Sequence, residues 1–423
     1  MRYLYSALFY LLLPFILMRM LLRSRRAPAY RRRLAERFGW FRAPAGLREV
    51  PVIWVHAVSV GESLAAAPLL ESLLQDYPGY RLVVTTTTPT GSDRVRALFG
   101  DRVFHVYSPW DMPGAVKRFL ARVQPELLVI METELWPNLL HYCRQRGCRV
   151  VLANARLSER SARGYARFSG LTGNMLQQLQ VVASQSRADG DRFLALGLPH
   201  NALQVTGSIK FDIELDEQLQ RQAAALSASW QRQVILGSST HPGEEEILLQ
   251  AFRELQQSHS NALLLLVPRH PERFEDVYQL CRDTGFAALR RSTGEPLRAE
   301  HDVLLGDTMG ELRLLSGTAS VAVIGGSFIE HGGQNVLEAA AWGVPVVCGP
   351  HMFNFTEITD LLTAAGAMRK LQGPGQLASC LVELMADEAL RRQMGLAGAQ
   401  VVAENRGALA RLREIIDGEL SGA

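Results

Sequence analysis

The sequence predicts an α/β protein built from two parallel-sheet domains behind a membrane-anchoring N-terminal helix. Three observations lead there. Apolar runs of strand length alternate with helical patterns in two series, one opening at Val52 and one at Val234. Repeated β–loop–α units of this size imply parallel sheets with helices on both faces. A charged, glutamine-rich stretch, 211–232, separates the two series, and 423 residues exceed one ordinary domain. Residues 3–22 are apolar apart from Ser6, Pro14 and Arg19, and about 20 residues is the length a helix needs to span a bilayer.

Nine arginines lie between Arg19 and Arg42 against one acid, Glu36. Arginines placed directly after the apolar run keep the body of the protein on the cytoplasmic side and attract an anionic lipid surface. No small-residue cleavage site follows the run, which argues against a removed signal peptide. Both single-pass and in-plane insertion are open at this point. The net charge of +3 implies no nucleic-acid partner. Five cysteines, an odd number without C-x-x-C spacing, point to a reducing compartment rather than a disulfide framework or zinc site.

In the first series, strands are expected at 52–57, 82–86, 127–130, 149–152, 181–184 and 205–207. Polar residues cluster directly after them, at the carboxyl ends where open α/β sheets bind ligands. In the second series, strands are expected at 234–236, 263–267, 303–305, 321–324 and 346–348, and the pattern is helical from Phe355 onward. The stretch SVAVIGGSFIEHGGQNVLEAAAWGVPVVCGP, 320–350, carries the strongest local signal. It reads as strand, glycine loop, helix (335–342) and strand. Its glycines allow close approach of a ligand to the backbone, and the free N–H groups of the helix start suit phosphate. Glu338 lies about one turn in, where a carboxylate can accept ribose hydroxyls. The same pattern also fits an ordinary crossover with a tight turn. Two such domains facing each other across a central cleft suit a nucleotide-linked donor on one side and an acceptor on the other.

The sequence lacks GxxxxGK[ST], GxSxG and HExxH, which argues against a P-loop nucleotidase, a hydrolase elbow and a zinc helix. Asp189-Gly190-Asp191 opens a helix and reads as a cap rather than a metal site. Glu62, beside Gly61 at a strand-to-helix turn, could take the proton of an attacking sugar hydroxyl, or be a first-turn glutamate favoured by the helix dipole. Glu132 and Glu134 follow a buried strand; at i, i+2 spacing at most one faces the site, and the residues alone do not say which. Lys210 could offset developing negative charge, and Arg269, in the turn Pro268-Arg269-His270, suits phosphate or a base edge. His241 and His270 could equally be polar loop residues.

Ten segments then fall in a familiar order: HAVSVGES (56–63), TTTTPTGSDRV (85–95), METELWPN (131–138), NARLSERS (154–161), GSIKFD (207–212), SSTHPGEE (238–245), VPRHPERF (267–274), GDTMGEL (306–312), GGSFIEHGGQNVLEAAA (325–341) and GPHMFNF (349–355). In these the chain resembles the bacterial 3-deoxy-D-manno-octulosonic acid (Kdo) transferases of lipopolysaccharide assembly. Gln334 stands where the family often has histidine, and Ile209 where it often has leucine. The resemblance implies a GT-B glycosyltransferase of two Rossmann-like domains, moving Kdo from CMP-Kdo to the tetraacylated lipid A disaccharide precursor at the inner membrane, with the catalytic body on its cytoplasmic face. It implies Glu62 as proton acceptor, Glu132 and Lys210 as transition-state residues, and contacts to CMP at Pro268, Arg269, Met309, Gly310, Glu311, Asn335, Val336, Leu337 and Glu338. No cofactor or metal is expected, CMP-Kdo being a substrate. The expected segments are an anchor helix at 1–22, a basic membrane-proximal stretch at 23–48, an acceptor domain at 49–209 and a donor domain at 210–423. A sugar-nucleotide epimerase of the same architecture would leave the anchor without a purpose. A lipid-binding module would leave Glu62, Lys210 and Arg269 without one.

Overall fold

A computed structural model describes residues 1–422. Fourteen strands form two parallel sheets of seven. The first contains β1 (Val52–His56), β2 (Arg81–Thr86), β3 (Phe104–Tyr107), β4 (Leu127–Met131), β5 (Arg149–Ala155), β6 (Val181–Ser184) and β7 (Leu203–Val205). The second contains β8 (Val234–Thr240), β9 (Leu263–Pro268), β10 (Ala288–Arg290), β11 (Val303–Leu305), β12 (Val321–Ile324), β13 (Val346–Cys348) and β14 (Met368–Lys370). Strand order is β3-β2-β1-β4-β5-β6-β7 in one and β10-β11-β9-β8-β12-β13-β14 in the other. In each, the chain fills one side of its first strand, then returns to that strand's other side. The crevices between β1 and β4 and between β8 and β12 are therefore the topological switch points, where such sheets bind ligands.

The strands form here because their residues are apolar on both faces, as a sheet covered on both sides demands. Alternation along β1 divides the first core: Val52 and Trp54 join Val83, Phe119 and Leu139 on one face, and Ile53 and Val55 join Leu69, Val84 and Val129 on the other. Trp54 and Phe119 pack with ring centroids 4.5 Å apart. In the second sheet Ile235, Leu264, Leu266 and Val323 pack with Phe252, Leu381 and Leu384. All five cysteines are buried and unpaired.

One expectation is corrected and two are sharpened. The stretch 211–232 does contain the boundary between the units, but it is ordered: residues Glu217–Trp230 are helical, capped by the Asp216 carboxylate, and Ala223 is buried in the second unit. The second domain does not run to residue 423, which itself lies outside the described residues. One compact unit comprises Met1–Asp212 with Arg406–Ala423, and the other Ile213–Asn405. The helix Ala408–Ser421 returns because Leu412, Ile415 and Ile416 complete the apolar face opposite Trp54. Asp212 holds its start, accepting the N–H of Gly407 (2.5 Å) and Leu409 (2.6 Å). Finally, not every arginine of the basic stretch is placed to attract a lipid surface, since Arg37 is only 4% exposed.

The N-terminal helix, Arg2–Arg26, is long and apolar enough to cross a membrane. Leu4, Leu8, Leu11, Phe15, Met18 and Leu22 are exposed along it. Its polar beginning is docked: Arg2 and Ser6 donate to Asn138 Oδ1 at 3.0 and 3.1 Å, and Gly114 N–H donates to the Tyr10 hydroxyl at 3.4 Å. The chain after it returns to the same unit, where Arg33 donates to Ser92 Oγ (3.0 Å) and the His105 carbonyl (3.1 Å).

Candidate active site

The first switch point is built around Glu62. β1 ends at His56, and Ser59 caps the helix Val60–Asp76, its hydroxyl oxygen accepting the Glu62 N–H at 3.3 Å. Serine at the cap with glutamate three residues on is a capping box. Here the carboxylate reaches back one residue further: Oε2 accepts the Val58 N–H and Oε1 accepts the Ser59 hydroxyl, both at 2.8 Å. Glu62 is 9% exposed, and burial pushes its carboxyl up to about 7. The two donors oppose that rise, and the charges of Glu132 and Glu134 add to it. A carboxylate balanced near neutral pH, with only two donors, can give up and take protons at working pH. The capping reading of Glu62 is met by these bonds, and they do not exclude the catalytic one.

Glu132 follows β4, the strand on the other side of that crevice. Its backbone is left-handed, φ 59°, and its N–H donates to the Ala153 carbonyl at 2.9 Å. A non-glycine residue held there costs on the order of 1–2 kcal/mol and recurs at functional sites. Glu134 is occupied locally: the Trp136 indole N–H donates to it at 3.0 Å, while burial and then the Glu132 charge act to raise its carboxyl. Lys210 lies on the turn Ile209–Phe211 after β7, half-buried. That turn is fixed by Asn154, whose Oδ1 accepts the Ile209 N–H at 3.2 Å.

Three further residues shape this end of the sheet and escaped the sequence reading. His56 is fully buried, held by burial down at about 4 and therefore neutral, with its ring edge-on to Trp136 at 5.0 Å. His56 Nε2 and Asn154 Nδ2 are buried polar atoms without a hydrogen-bond partner. Asp111 accepts the Asn138 and Leu139 N–H groups at 3.0 and 2.7 Å, fixing the helix that leaves the METELWPN loop. The available signal was a polar residue ending an apolar strand, VIWVH and VVLAN. Asp189 lies in the first turn of a helix capped by Ser186, whose Oγ accepts the Asp189 N–H; the Asp189 carboxylate accepts the Ser186 hydroxyl and the Leu157 N–H.

In the second unit, the expected donor residues leave the carboxyl ends of three strands, β9, β11 and β12. The loop after the fourth, β8, holds them up. Glu244, buried at the start of the helix Glu244–Gln256, accepts four N–H groups: its own loop's His241 (3.0 Å), and Gly326 (2.6 Å), Ser327 (3.0 Å) and Phe328 (3.0 Å) from the loop after β12. That close approach requires glycine at 325, where a Cβ would lie 2.1 Å from the Ser239 carbonyl oxygen. Arg269 is exposed after β9, its N–H donating to the Thr240 carbonyl at 3.0 Å, and its charge reaches Glu338. Met309 is 65% exposed, and Gly310 is left-handed at φ 84°. Glu311 is gripped by Arg291 at 2.6 and 2.9 Å, which holds its carboxyl below the usual range.

The helix of the glycine-rich stretch is shorter than expected, Leu337–Ala341, because Asn335 turns back as a local cap, accepting the Leu337 N–H at 3.1 Å. Val336 and Leu337 are fully buried, so only their backbone can meet a ligand. Of the N–H groups expected to face phosphate, that of Gly333 is donated to Gly326 O at 2.7 Å. Gln334 Nε2 is 3.0 Å from His241 Nε2, and the His241 and His331 rings lie 4.1 Å apart. Burial, then the nearby His331, His270, Arg269 and Arg273, hold His241 down at about 4. Among the described residues no group of three or more His, Cys, Asp or Glu side chains is placed to hold a metal ion.

Comparison with known proteins follows the same division. A family model described as 3-Deoxy-D-manno-octulosonic-acid transferase (kdotransferase) matches residues 32–213. The 3-deoxy-D-manno-octulosonic acid transferase of Haemophilus influenzae is 43% identical over 418 residues, 98% of each chain. That of Bordetella pertussis is 38% identical, covering 96% of each. Among solved structures, the UDP-GlcNAc 2-epimerase of Neisseria meningitidis bound to UDP-GlcNAc superposes with a TM-score of 0.57 at 15% identity, over 88% of this chain and 100% of that one. At that identity the likeness is one of fold.

Proposed function

The chain belongs to the family of 3-deoxy-D-manno-octulosonic acid transferases, and from that premise we propose how its two strand-end sites divide the reaction. As a Kdo transferase it is an enzyme, a glycosyltransferase of lipopolysaccharide biosynthesis. The donor, CMP-Kdo, binds the second unit through Pro268, Arg269, Met309, Gly310, Glu311 and the backbone and polar side chains of 335–338. The acceptor is the tetraacylated lipid A disaccharide precursor, bound by the first unit. Glu62 takes the proton of the acceptor hydroxyl as its oxygen bonds to the anomeric carbon of Kdo. The bond from that carbon to the phosphate oxygen breaks, and CMP leaves with the electron pair. Lys210 offsets the negative charge of the leaving group, and Glu132 faces the positive character of the anomeric carbon.

The observation that carries this reading is the Glu62 carboxyl, buried at a switch point and balanced near pH 7. Mass spectrometry of lipid A precursor incubated with CMP-Kdo and the full chain tests it. Addition of whole Kdo units, lost in Glu62→Gln, is the expected result; unchanged addition by Glu62→Gln would end the assignment of the base.

The same reading places the body on the cytoplasmic face of the inner membrane, with the N-terminal helix lying in the membrane plane. Two features support an in-plane course. The start of the helix is bonded to Asn138, and Arg33 is bonded to the same unit. The seven residue steps from Arg26 to Arg33 reach about 24 Å at full extension, short of the roughly 30 Å of hydrocarbon they would have to recross.

A further inference from the structure

We infer that Arg37, in the basic stretch between the apolar helix and β1, is a positioning residue for the Glu62 carboxylate, acting through the peptide groups of Thr87 and Val58. Arg37 is the buried member of the arginine cluster, and its main partner is specific. Nη2 donates to the Thr87 carbonyl at 2.7 Å. Thr87 in turn donates twice to the Val58 carbonyl, from its N–H and from its hydroxyl, both at 3.1 Å. The Val58 N–H donates to Glu62 Oε2 at 2.8 Å. One guanidinium therefore fixes, through the residues Thr87 and Val58, the donor that covers half of the carboxylate.

The guanidinium is itself held in register. It stacks on the Tyr107 ring at 4.4 Å, with Arg33 at 4.7 Å from the same ring. The Tyr107 N–H donates to Glu36 at 2.9 Å, and the Trp110 N–H donates to the Arg37 carbonyl at 2.8 Å. The short helical turn Leu34–Phe38 is thus a built part of the site's support. A surface role in lipid attraction explains none of this, because a buried guanidinium cannot meet a headgroup. Val58 and Thr87 lie just past the ends of β1 and β2, beyond the Ala57 N–H bond to the Thr85 carbonyl (3.0 Å), and the bonds from Thr87 to Val58 are what tie the two loops together there.

The inference rests on reading Glu62 as the base, and its test separates the two. CMP release from CMP-Kdo in the presence of lipid A precursor is followed against pH for the full chain and four variants. The titratable groups facing Glu62 are Glu132 and Glu134, untouched in all of them. A weakened Val58 donor favours the protonated carboxyl, so the acid limb of kcat moves to higher pH. Arg37→Met is expected to move it by about half a unit or more and to lower kcat roughly tenfold at pH 7, with KM for CMP-Kdo unchanged. Thr87→Val removes one of the two donors to Val58 without changing any charge and moves the limb the same way by less; Arg37→Lys restores most of the loss. An acid limb at the wild-type pH in Thr87→Val overturns the relay, since any effect of Arg37 would then be its charge or its packing alone. Full turnover in Glu62→Gln overturns the base, and the relay with it.

Discussion

Glu62 and Glu244 occupy matching places in the two sheets. Each lies in the first turn of the helix that follows its sheet's first strand, each is buried, and each stands at a switch point. Their surroundings differ in the number of donors. Glu244 collects four N–H groups from two loops and ties β8 to β12. Glu62 collects two, both from the loop just before it, and faces two further carboxylates. Burial acts to raise both carboxyls, but at Glu244 the charge is spent on holding backbone. One position serves as cement in one unit and, in the function proposed above, as a proton acceptor in the other, depending on how completely the protein satisfies it.

The largest expected effect breaks the first half of that comparison. Glu62→Gln should lower Kdo transfer by about 10²–10⁴-fold, the range general-base removal commonly costs. It should also stabilise the fold. The folded Glu62 carboxyl stands near 7, above the ordinary carboxylate value, so between about pH 4.5 and 7 the unfolded chain sheds this proton while the folded one keeps it. Stability falls across that window and stays reduced above it, and Gln removes the loss. Denaturant unfolding at pH 8 should show the variant more stable by about 2 kcal/mol, and at pH 4 little different.

Glu244→Gln should do the opposite. Its amide turns one acceptor into a donor among four N–H groups, and we expect a loss of about 3 kcal/mol in stability, read by denaturant midpoint. A variant with wild-type stability would show that the matching glutamate is not structural. Next in size, Gly325→Ala pushes a methyl into the Ser239 carbonyl and parts the loops that Glu244 joins. A stability loss of about 1–3 kcal/mol with a raised KM for CMP-Kdo and an unmoved pH profile would confine its effect to the second unit. The smallest effect sharpens the first half. Glu134→Gln removes a charge that pushes the Glu62 carboxyl up, so the acid limb of kcat should move to lower pH by roughly a few tenths of a unit.

The legible parts of the molecule were those fixed by local pattern. Strands such as LLVIM and LLLLV announce themselves because both faces of a covered sheet need apolar residues. β3 was missed because its interior residue is His105, whose ring pays for burial with polar contacts to the Thr86 hydroxyl (3.0 Å) and Arg33 (3.3 Å) instead of being apolar. β10 and β14 were missed as three-residue edges carrying arginine and lysine. Glu62 was legible as a carboxylate at a strand-to-helix turn; its donors were not, because they are a backbone N–H and a cap. Arg37 was illegible as anything but one charge among nine, since its partner Thr87 is 50 residues away. The motifs supplied what pattern could not, and the choice of Glu132 over Glu134 came from them alone. The structure adds a reason for it: the Trp136 indole already occupies Glu134.

The return of the last helix to the first unit has a consequence for how the protein is made. The donor unit, 213–405, is a guest inserted within the chain of its host. During synthesis the guest is complete while the host's second core face still lacks Leu412, Ile415 and Ile416. The order of the chain therefore makes the unit that holds Glu62 the last to receive all of its core, only when the helix Ala408–Ser421 has been made.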